Sequence, residues 1–202
     1  PNPSQTYTST FANYGQLQRE IISKSGHLGE YVFSIAGNIE HKLFIGATLG
    51  IQNVRYSQSS MFEEIDEQEK IEGFDSFTFR EQFSTRGSGL NLKVGLLYRP
   101  TKWVRFGGAI HTPTFFNLKD TYSNAISSNF SIAPYMQDSV PVFSFEEFSP
   151  NGSFMYELNT PFRAMTNIAF IINKQALVSI DYEFTDYSQA RLRSDDYTFY
   201  KE

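Results

Sequence analysis

Apolar and polar side chains alternate with a period of two along much of this chain. In one segment, Val178, Ile180 and Tyr182 fall on one parity, whereas Ser179 and Asp181 fall on the other. Period two is the signature of a β-strand with one apolar and one polar face. The same alternation recurs in residues 30–36, 43–52, 90–98, 104–111 and 162–172. The pattern therefore predicts an all-β, antiparallel protein with about six readable strands.

The connections between the predicted strands alternate in length. Residues 37–42, 99–102 and 173–175 form short turns, whereas residues 59–73 and 123–152 form long loops. Residues 1–29 are polar and are assigned to a loop or a rim segment. Short turns on one side and long loops on the other are typical of outer-membrane barrels, in which the long loops are extracellular. We therefore expect residues 1–202 to form a single, partial β-barrel domain.

The two faces of such strands have two possible environments. In a soluble antiparallel sheet the apolar face packs on a core, and in a membrane barrel it faces lipid. Clean alternation persists for about 9 to 11 residues beside each short turn, the length that a tilted strand needs to cross a bilayer. This favours an up-and-down transmembrane β-barrel. A soluble antiparallel β lipid-binding module is the alternative, and a requirement for detergent would distinguish the two.

Composition narrows the function classes. The net charge is −5 and Lys and Arg are scattered singly, so a nucleic-acid partner is not expected. Cysteine is absent, which excludes disulfides and thiolate metal sites. The 20 Phe and 12 Tyr suit strands. Because the chain opens with PNPSQ and shows no signal peptide, we interpret it as an internal piece of a longer protein.

Three segments carry a family likeness. They are GEYVFSIAGNIEHKLFIGATLGIQNVRYS, GSGLNLKVGLLYRPTKWVRFGGAIHTPTFFNLKDTYS and LNTPFRAMTNIAFIINKQALVSIDYEFTDYSQARL. They resemble the outer-membrane long-chain fatty-acid and hydrocarbon transporter family of the FadL and TodX type, over most of residues 29–192. The resemblance implies a barrel of about fourteen strands in the bacterial outer membrane, with a plug formed by its N-terminal segment. It also implies uptake of hydrophobic or amphipathic small molecules such as long-chain fatty acids or hydrocarbons.

If the apolar parity faces lipid, the polar parity lines the lumen and holds the candidate substrate path. Its candidate residues are Phe44, Lys93, Arg105, Arg163, Met165, Ala169 and Leu177. Asp181 and Glu183 share this parity, about 7 Å apart by strand geometry. We expect them to be structural charges paired with Arg163 and Arg105. For any of the charged residues, an ion-pair network that only fills the interior is the alternative.

Two prolines are predicted to interrupt the wall. Pro113 and Pro161 lie at similar heights on two strands, and proline cannot donate to a β-ladder. The break is predicted to be either a boundary between membrane strand and extracellular extension or a side opening for a greasy molecule.

Ligand-binding and catalytic chemistry is sparse. His111 is the histidine placed on a predicted strand and would be the axial ligand of any haem, whereas His27 and His41 fall in a loop and a turn. No clustered ligand set and no nucleophile–histidine–acid set is recognisable, so no metal, cofactor or enzymatic activity is predicted. The expected partners are outer-membrane lipid and a hydrophobic small molecule, with no obligate protein partner. A general porin or a structural barrel remains the other possibility.

Overall fold

The structure is a computed structural model that describes residues 16–173 and 175–194. These residues form an all-β, antiparallel architecture, as predicted, with one short 3-10 helix, η1 (Tyr187–Gln189). The strands are β1 (Leu17–Ile39), β2 (Leu43–Ile65), β3 (Ser76–Tyr98), β4 (Val104–His111), β5 (Phe115–Asn129), β6 (Tyr135–Gln137), β7 (Val140–Val142), β8 (Ser144–Phe148), β9 (Gly152–Asn159), β10 (Arg163–Ile172), β11 (Ala176–Thr185) and β12 (Arg191–Arg193). In the described part of the chain, no helix has the length and apolar character needed to span a membrane.

Most strands belong to one sheet. β2 pairs with β1 and β3, and the order β11-β10-β4-β3-β5-β9-β12 shows that β4 and β5 both lie against β3. β4 and β5 are thus two parts of one interrupted strand, and β9 with β10 and β11 with β12 repeat this arrangement. β8 adds to β5, while β6 and β7 form a separate two-stranded sheet. Within the described residues β1 and β11 each have a single neighbour, so the sheet is open there and a closed barrel remains a prediction.

The loop assignments from the sequence need correction. Of the predicted loop or rim segment 1–29, residues 1–15 lie outside the described residues and residues 17–29 belong to β1. The predicted loop 59–73 begins only after β2 ends at Ile65, and 123–152 contains the end of β5, all of β6 to β8 and the first residue of β9. These segments were assigned to loops because they contain many charged and polar residues. In the structure such residues pair across neighbouring strands, and Arg19 of β1 forms an ion pair with Glu63 of β2.

The turn between β1 and β2 is a tight two-residue reversal. Glu40 and His41 both have positive φ, at 49° and 54°, and the amide of Lys42 donates to the carbonyl of Ile39 at 3.0 Å. Two successive left-handed residues match the right-handed twist of the flanking strands. Asn173, with φ 48°, begins the corresponding turn between β10 and β11.

Each proline predicted to interrupt the wall lies between two strands. β4 ends at His111 and β5 begins at Phe115 on either side of Pro113. Pro161 lies between β9, which ends at Asn159, and β10, which begins at Arg163. Proline has no backbone N–H to donate, which accounts for the loss of ladder pairing at both points.

The first interruption also exchanges the parity of the two faces. Lys93 of β3 lies opposite His111 of β4, so odd residues of these strands share a face. Beyond the break, the side chain of Asn91 bonds to that of Thr114 at 3.0 Å, so odd residues of β3 share a face with even residues of β5. The region 112–114 thus inserts one extra residue, as a β-bulge does. Accordingly Phe116 is buried while Phe115 is 53% exposed.

The chain divides into two compact units, and the first contains all the predicted site residues. Its described residues are those of Gly26–Tyr56 and Thr85–Asp120 and those of the chain from Ser153 to Ser194. Its buried hydrophobic side chains, among the described residues, are Val104, Phe116 and Leu118. Glycines of β3 leave room for two of them: a Cβ on Gly89 would come within 2.6 Å of the Phe116 ring, and one on Gly87 within 2.7 Å of Leu118.

The described residues of the second unit are those from Gln16 to Ser25, Ser57–Ser84 and Thr121–Gly152. Its connection between β2 and β3 is organised by Asp66, which is 6% exposed and accepts a hydrogen bond from the Ile71 amide at 2.6 Å. The Asp66 amide donates to the carbonyl of Asp75 at 2.9 Å. The connection between β2 and β3 is therefore held in a defined conformation by hydrogen bonds of Asp66.

Candidate functional site

A cavity of about 500 Å³ lies in the first unit beside the two strand interruptions. Its lining includes the charged side chains of Lys93, Arg163 and Glu183, together with His111 and Pro161. We call it the polar cavity. Three of the predicted lumen charges and one of the predicted wall breaks therefore meet in one place.

Strand register aligns the residues of the polar cavity. Lys93 lies opposite His111, His111 opposite Arg163, and Arg163 opposite Thr185, across β3, β4, β10 and β11. Directly opposed residues of an antiparallel pair point to the same side of the sheet. The polar parity read from the sequence is thus one physical row of side chains.

The charges of this row are balanced in pairs. The Lys93 Nζ lies 2.9 Å from Glu30 Oε1, and the Arg163 Nε donates to Glu183 Oε1 at 2.8 Å. The Arg163 Nη2 donates to the same Glu183 oxygen at 2.5 Å, and the Thr185 hydroxyl is a third donor to it at 3.2 Å. The pairing of Glu183 with an arginine was expected, and it leaves the cavity polar without a large net charge.

Threonine side chains replace the missing ladder bonds at the interruptions. The Thr114 amide donates to Thr160 Oγ1 at 2.8 Å, and the Thr160 amide donates to the Thr114 carbonyl at 3.1 Å. The Leu92 amide donates to Thr112 Oγ1 at 2.9 Å, and the Thr112 amide returns a bond to Leu92. Backbone groups that would lose partners beside a proline are thereby satisfied.

A second cavity of about 530 Å³ lies on the same face where β1 to β4 and β10 run without interruption. Its lining is made largely of small residues, among them Gly46, Gly95 and Gly107, with the predicted path residues Phe44 and Met165 at its sides. We call it the small-residue groove. A Cβ built on Gly95 would lie 3.6 Å from the Gly108 carbonyl oxygen and 3.7 Å from the Ala109 Cβ, which are ordinary van der Waals distances, so a small side chain fits above this glycine.

The remaining predicted path residues lie outside both cavities. Arg105 stands opposite Ala169, and its buried Nε has no hydrogen-bond partner among the described residues. Leu177 stands opposite Ile171 and is 65% exposed.

Asp181 departs from the expectation for the paired acids. It lies opposite Asn167 in the register of β10 and β11. Neither Arg163 nor Arg105 pairs with it in residues 16–173 and 175–194, where the described ion pair of Arg163 is with Glu183. An antiparallel neighbour two positions away is within reach of a long side chain, and Arg163 satisfies that condition for Glu183 only.

An acidic residue next to the polar cavity has a local structural role. Asp186 lies between β11 and η1 and accepts from the Ser188 hydroxyl at 2.6 Å, from Gln189 at 2.8 Å and from the Ser188 amide at 3.0 Å. These hydrogen bonds, that of the Ser188 hydroxyl foremost, hold the pKa of the Asp186 carboxyl below its ordinary value. The capped turn fixes Tyr187, which lines the polar cavity.

The structure offers no further support for haem or metal ligation at His111. Its neighbours in register are the cationic side chains Lys93 and Arg163. The described residues contain no group of three or more His, Asp or Glu side chains suited to a metal ion. His27, placed in a loop by the sequence, lies on β1.

Several residues that line the polar cavity or pair with its charged groups were not singled out from the sequence. Glu30 holds Lys93 from a strand whose pairing with β2 cannot be read without the register. Thr112, Thr114 and Thr160 flank the two prolines, and that proximity is the signal that could have identified them. No match to this chain was found among protein families, curated proteins or solved structures.

Proposed function

We propose that this chain forms part of the wall of a bacterial outer-membrane β-barrel that takes up hydrophobic or amphipathic small molecules, such as long-chain fatty acids or hydrocarbons, without catalysing a reaction. The observation that carries the proposal is the contrast between the two faces of the sheet. One face exposes large apolar side chains on β1 to β4 and on β11, whereas the other carries the Lys93–Glu30 and Arg163–Glu183 ion pairs, the polar cavity and the small-residue groove.

The apolar face is broad. Its exposed large side chains are Tyr31, Phe33, Ile35, Ile45, Leu49, Ile51, Leu90, Leu92, Val94, Leu96, Tyr98, Phe106, Ile110, Val178, Ile180, Tyr182 and Phe184. Exposed apolar surfaces of this extent mark a site of contact with a membrane or another protein. A lipid-facing band suits this face, because on β3 it runs over the nine residues from Leu90 to Tyr98, and a tilted strand needs about 9 to 11 residues to cross a bilayer.

Aromatic residues at the short-turn end support the same assignment. Trp103 lies in the turn between β3 and β4 and is 59% exposed, and Tyr98 ends β3 and is 44% exposed. Aromatic side chains form girdles at both edges of the lipid-facing band in such barrels. The short turns would then lie on the periplasmic side.

The polar face suits an amphipathic cargo. The polar cavity combines charged groups with the apolar side chains of Leu28, Phe116 and Tyr187, and the small-residue groove offers a largely apolar surface. Ligand sites are typically apolar surfaces with a few placed polar groups. A molecule with one polar end and a hydrocarbon body could engage both cavities.

The two faces can be tested by introducing one charge on each. In the full-length protein, Val178→Arg or Ile180→Arg should cost roughly 2 to 4 kcal/mol near the bilayer midplane, and Ser179→Arg much less. The measurement is the unfolding free energy of the barrel in lipid vesicles. Equal tolerance at both parities would contradict the proposal, as would a full-length protein that is soluble and monodisperse without detergent.

A further inference from the structure

Three basic side chains on adjacent strands surround a third cavity in the first unit. Arg55 of β2, Arg86 of β3 and Lys119 of β5 line a space of about 480 Å³, together with Asn53, Ser88 and Asn117. All three basic residues are exposed. We call this group the basic cluster.

The basic cluster lies on the apolar face of the sheet. Arg86 shares the even parity of β3 with Leu90 and Leu92, and the parity exchange at 112–114 puts Lys119 on that same side. The hydrogen bond from Thr85 to Asp120 at 2.7 Å confirms this assignment, since it places those two residues together on the opposite face.

Each basic residue stands at the same distance beyond the apolar band. Arg55 lies four residues past Ile51, Arg86 four residues before Leu90, and Lys119 four residues past Phe115. These apolar residues are exposed by 39%, 48% and 53%. Four residues of strand span about 13 Å, so the positive charges form a row just outside the hydrocarbon-facing surface.

The described residues leave the charge of the basic cluster without an ion-pair partner. In the part of the chain that the structure describes, the ion pairs involve other cations, and none of the three basic residues takes part in one. The acid next along β9, Glu157, lies opposite Arg193 of β12. Uncompensated guanidinium groups at a membrane edge match the geometry and charge of phosphate.

We propose that the basic cluster binds the phosphate of an anionic lipid headgroup, on the side of the membrane opposite the short turns. This inference rests on the proposed membrane function. A headgroup is the occupant that fits, because the cluster adjoins the apolar band on three successive strands and a lipid presents its phosphate directly outside its acyl chains.

The test is lipid preference of the full-length protein. Vesicles of phosphatidylcholine alone and of phosphatidylcholine with phosphatidylglycerol are loaded with the protein, and the lipids retained after extraction into neutral detergent are counted by native mass spectrometry. We expect the wild type to retain phosphatidylglycerol in preference, and Arg55→Gln/Arg86→Gln/Lys119→Gln to reduce that preference at least tenfold. The matched control is Lys24→Gln/Lys42→Gln/Lys102→Gln, which removes the same charge elsewhere and should leave the preference intact.

A charge-retaining variant, Arg55→Lys/Arg86→Lys, separates loss of binding from loss of folding, and it should keep most of the preference. An equal loss in the control variant, or no preference in the wild type, overturns the proposal. Binding of millimolar inorganic phosphate by the protein in phosphatidylcholine vesicles, without any preference for phosphatidylglycerol, would assign the cluster to free phosphate and overturn the proposal. Failure of the wild type to enter phosphatidylcholine vesicles would instead contradict the membrane function itself.

Discussion

The polar cavity and the small-residue groove have similar volumes, about 500 and 530 Å³, but the sheet makes room for them in different ways. At the groove the ladder between β3 and β4 continues, and space arises because glycines such as Gly95 carry no side chain. At the polar cavity the ladder stops at two prolines, and side chains such as Thr160 satisfy the released backbone groups. The small-residue groove therefore depends on the lack of side chains at its glycines, and the polar cavity depends on side-chain hydrogen bonds that replace the ladder.

The largest effect that we expect concerns uptake through the small-residue groove. Gly95→Leu should place a large side chain in the groove and strongly reduce uptake of a long-chain amphiphile, and the backbone accepts the added Cβ because its nearest neighbour, the Gly108 carbonyl oxygen, would lie 3.6 Å away. Gly29→Leu is the control, since a Cβ there has no neighbour within 4 Å and the residue does not line the groove. Uptake of labelled amphiphile by cells carrying the full-length protein measures the effect. Unchanged uptake in Gly95→Leu would remove the groove from the path.

The second prediction contrasts two glycines of the same strand and parity. In Gly89→Ala the new Cβ would lie 2.6 Å from the Phe116 ring and 2.9 Å from Thr114, both of which line the polar cavity. Overpacking of this kind costs roughly 1 to 3 kcal/mol. Gly95→Ala should change the unfolding free energy by less than about 0.5 kcal/mol. Urea unfolding of the full-length protein in vesicles compares the two, and equal costs would mean that both sites relax equally well.

The third prediction concerns the hydrogen bonds at the interruption. Thr160→Val removes the acceptor of the Thr114 amide and should destabilise the protein by roughly 1 to 2 kcal/mol. Thr166→Val, on the uninterrupted part of β10, removes only an exposed bond of 3.3 Å to the Gly107 carbonyl and should cost less. Hydrogen exchange at the Thr114 amide is the direct measurement. Continued protection of that amide in Thr160→Val would show that the threonine is not its essential partner.

The smallest effect is expected at the two acids of β11. Glu183→Gln loses the bonds from Arg163 and Thr185, so it should reduce stability slightly, because exposed ion pairs contribute little. Asp181→Asn should have no measurable effect, since no described ion pair depends on it. Unfolding curves for both variants test this. A larger loss in Asp181→Asn would point to a partner outside the described residues, and altered substrate preference in either variant would assign that acid to cargo binding.

Much of the architecture could be predicted from alternation alone. The all-β antiparallel fold followed from period two, because opposite faces of a strand meet different surroundings. The grouping of Lys93, Arg163 and Glu183 around one cavity agrees with their shared parity. Local pattern also predicted a short turn at 37–42, and the structure confines that turn to 40–42, because β1 continues to Ile39.

The features that could not be predicted from the sequence are those that depend on pairing between strands distant along the chain. Residues 17–29 were assigned to a loop because they are polar, yet they belong to β1, which pairs with β2. Arg19 is bonded there to Glu63, a residue that follows it by 44 positions. The prediction that Asp181 pairs with an arginine is wrong within the described residues. Parity determines which face of the sheet a residue occupies, but it does not determine which residue of the neighbouring strand lies opposite. Glu30 was missed for the same reason, since its partner Lys93 is 63 residues distant.

The extra residue between β4 and β5 limits the insertions and deletions that proteins related to this one can accept at that point. Removing a single residue from 112–114 would return β5 to the parity of β4, turning Phe116 and Leu118 outward and Lys119 inward. A two-residue change would keep every side chain on its present side. Evolutionary change in 112–114 should therefore occur by substitution, or by insertion or deletion of two residues at once. In a related chain that lacks one residue here, the apolar and polar positions of the fifth strand should be interchanged.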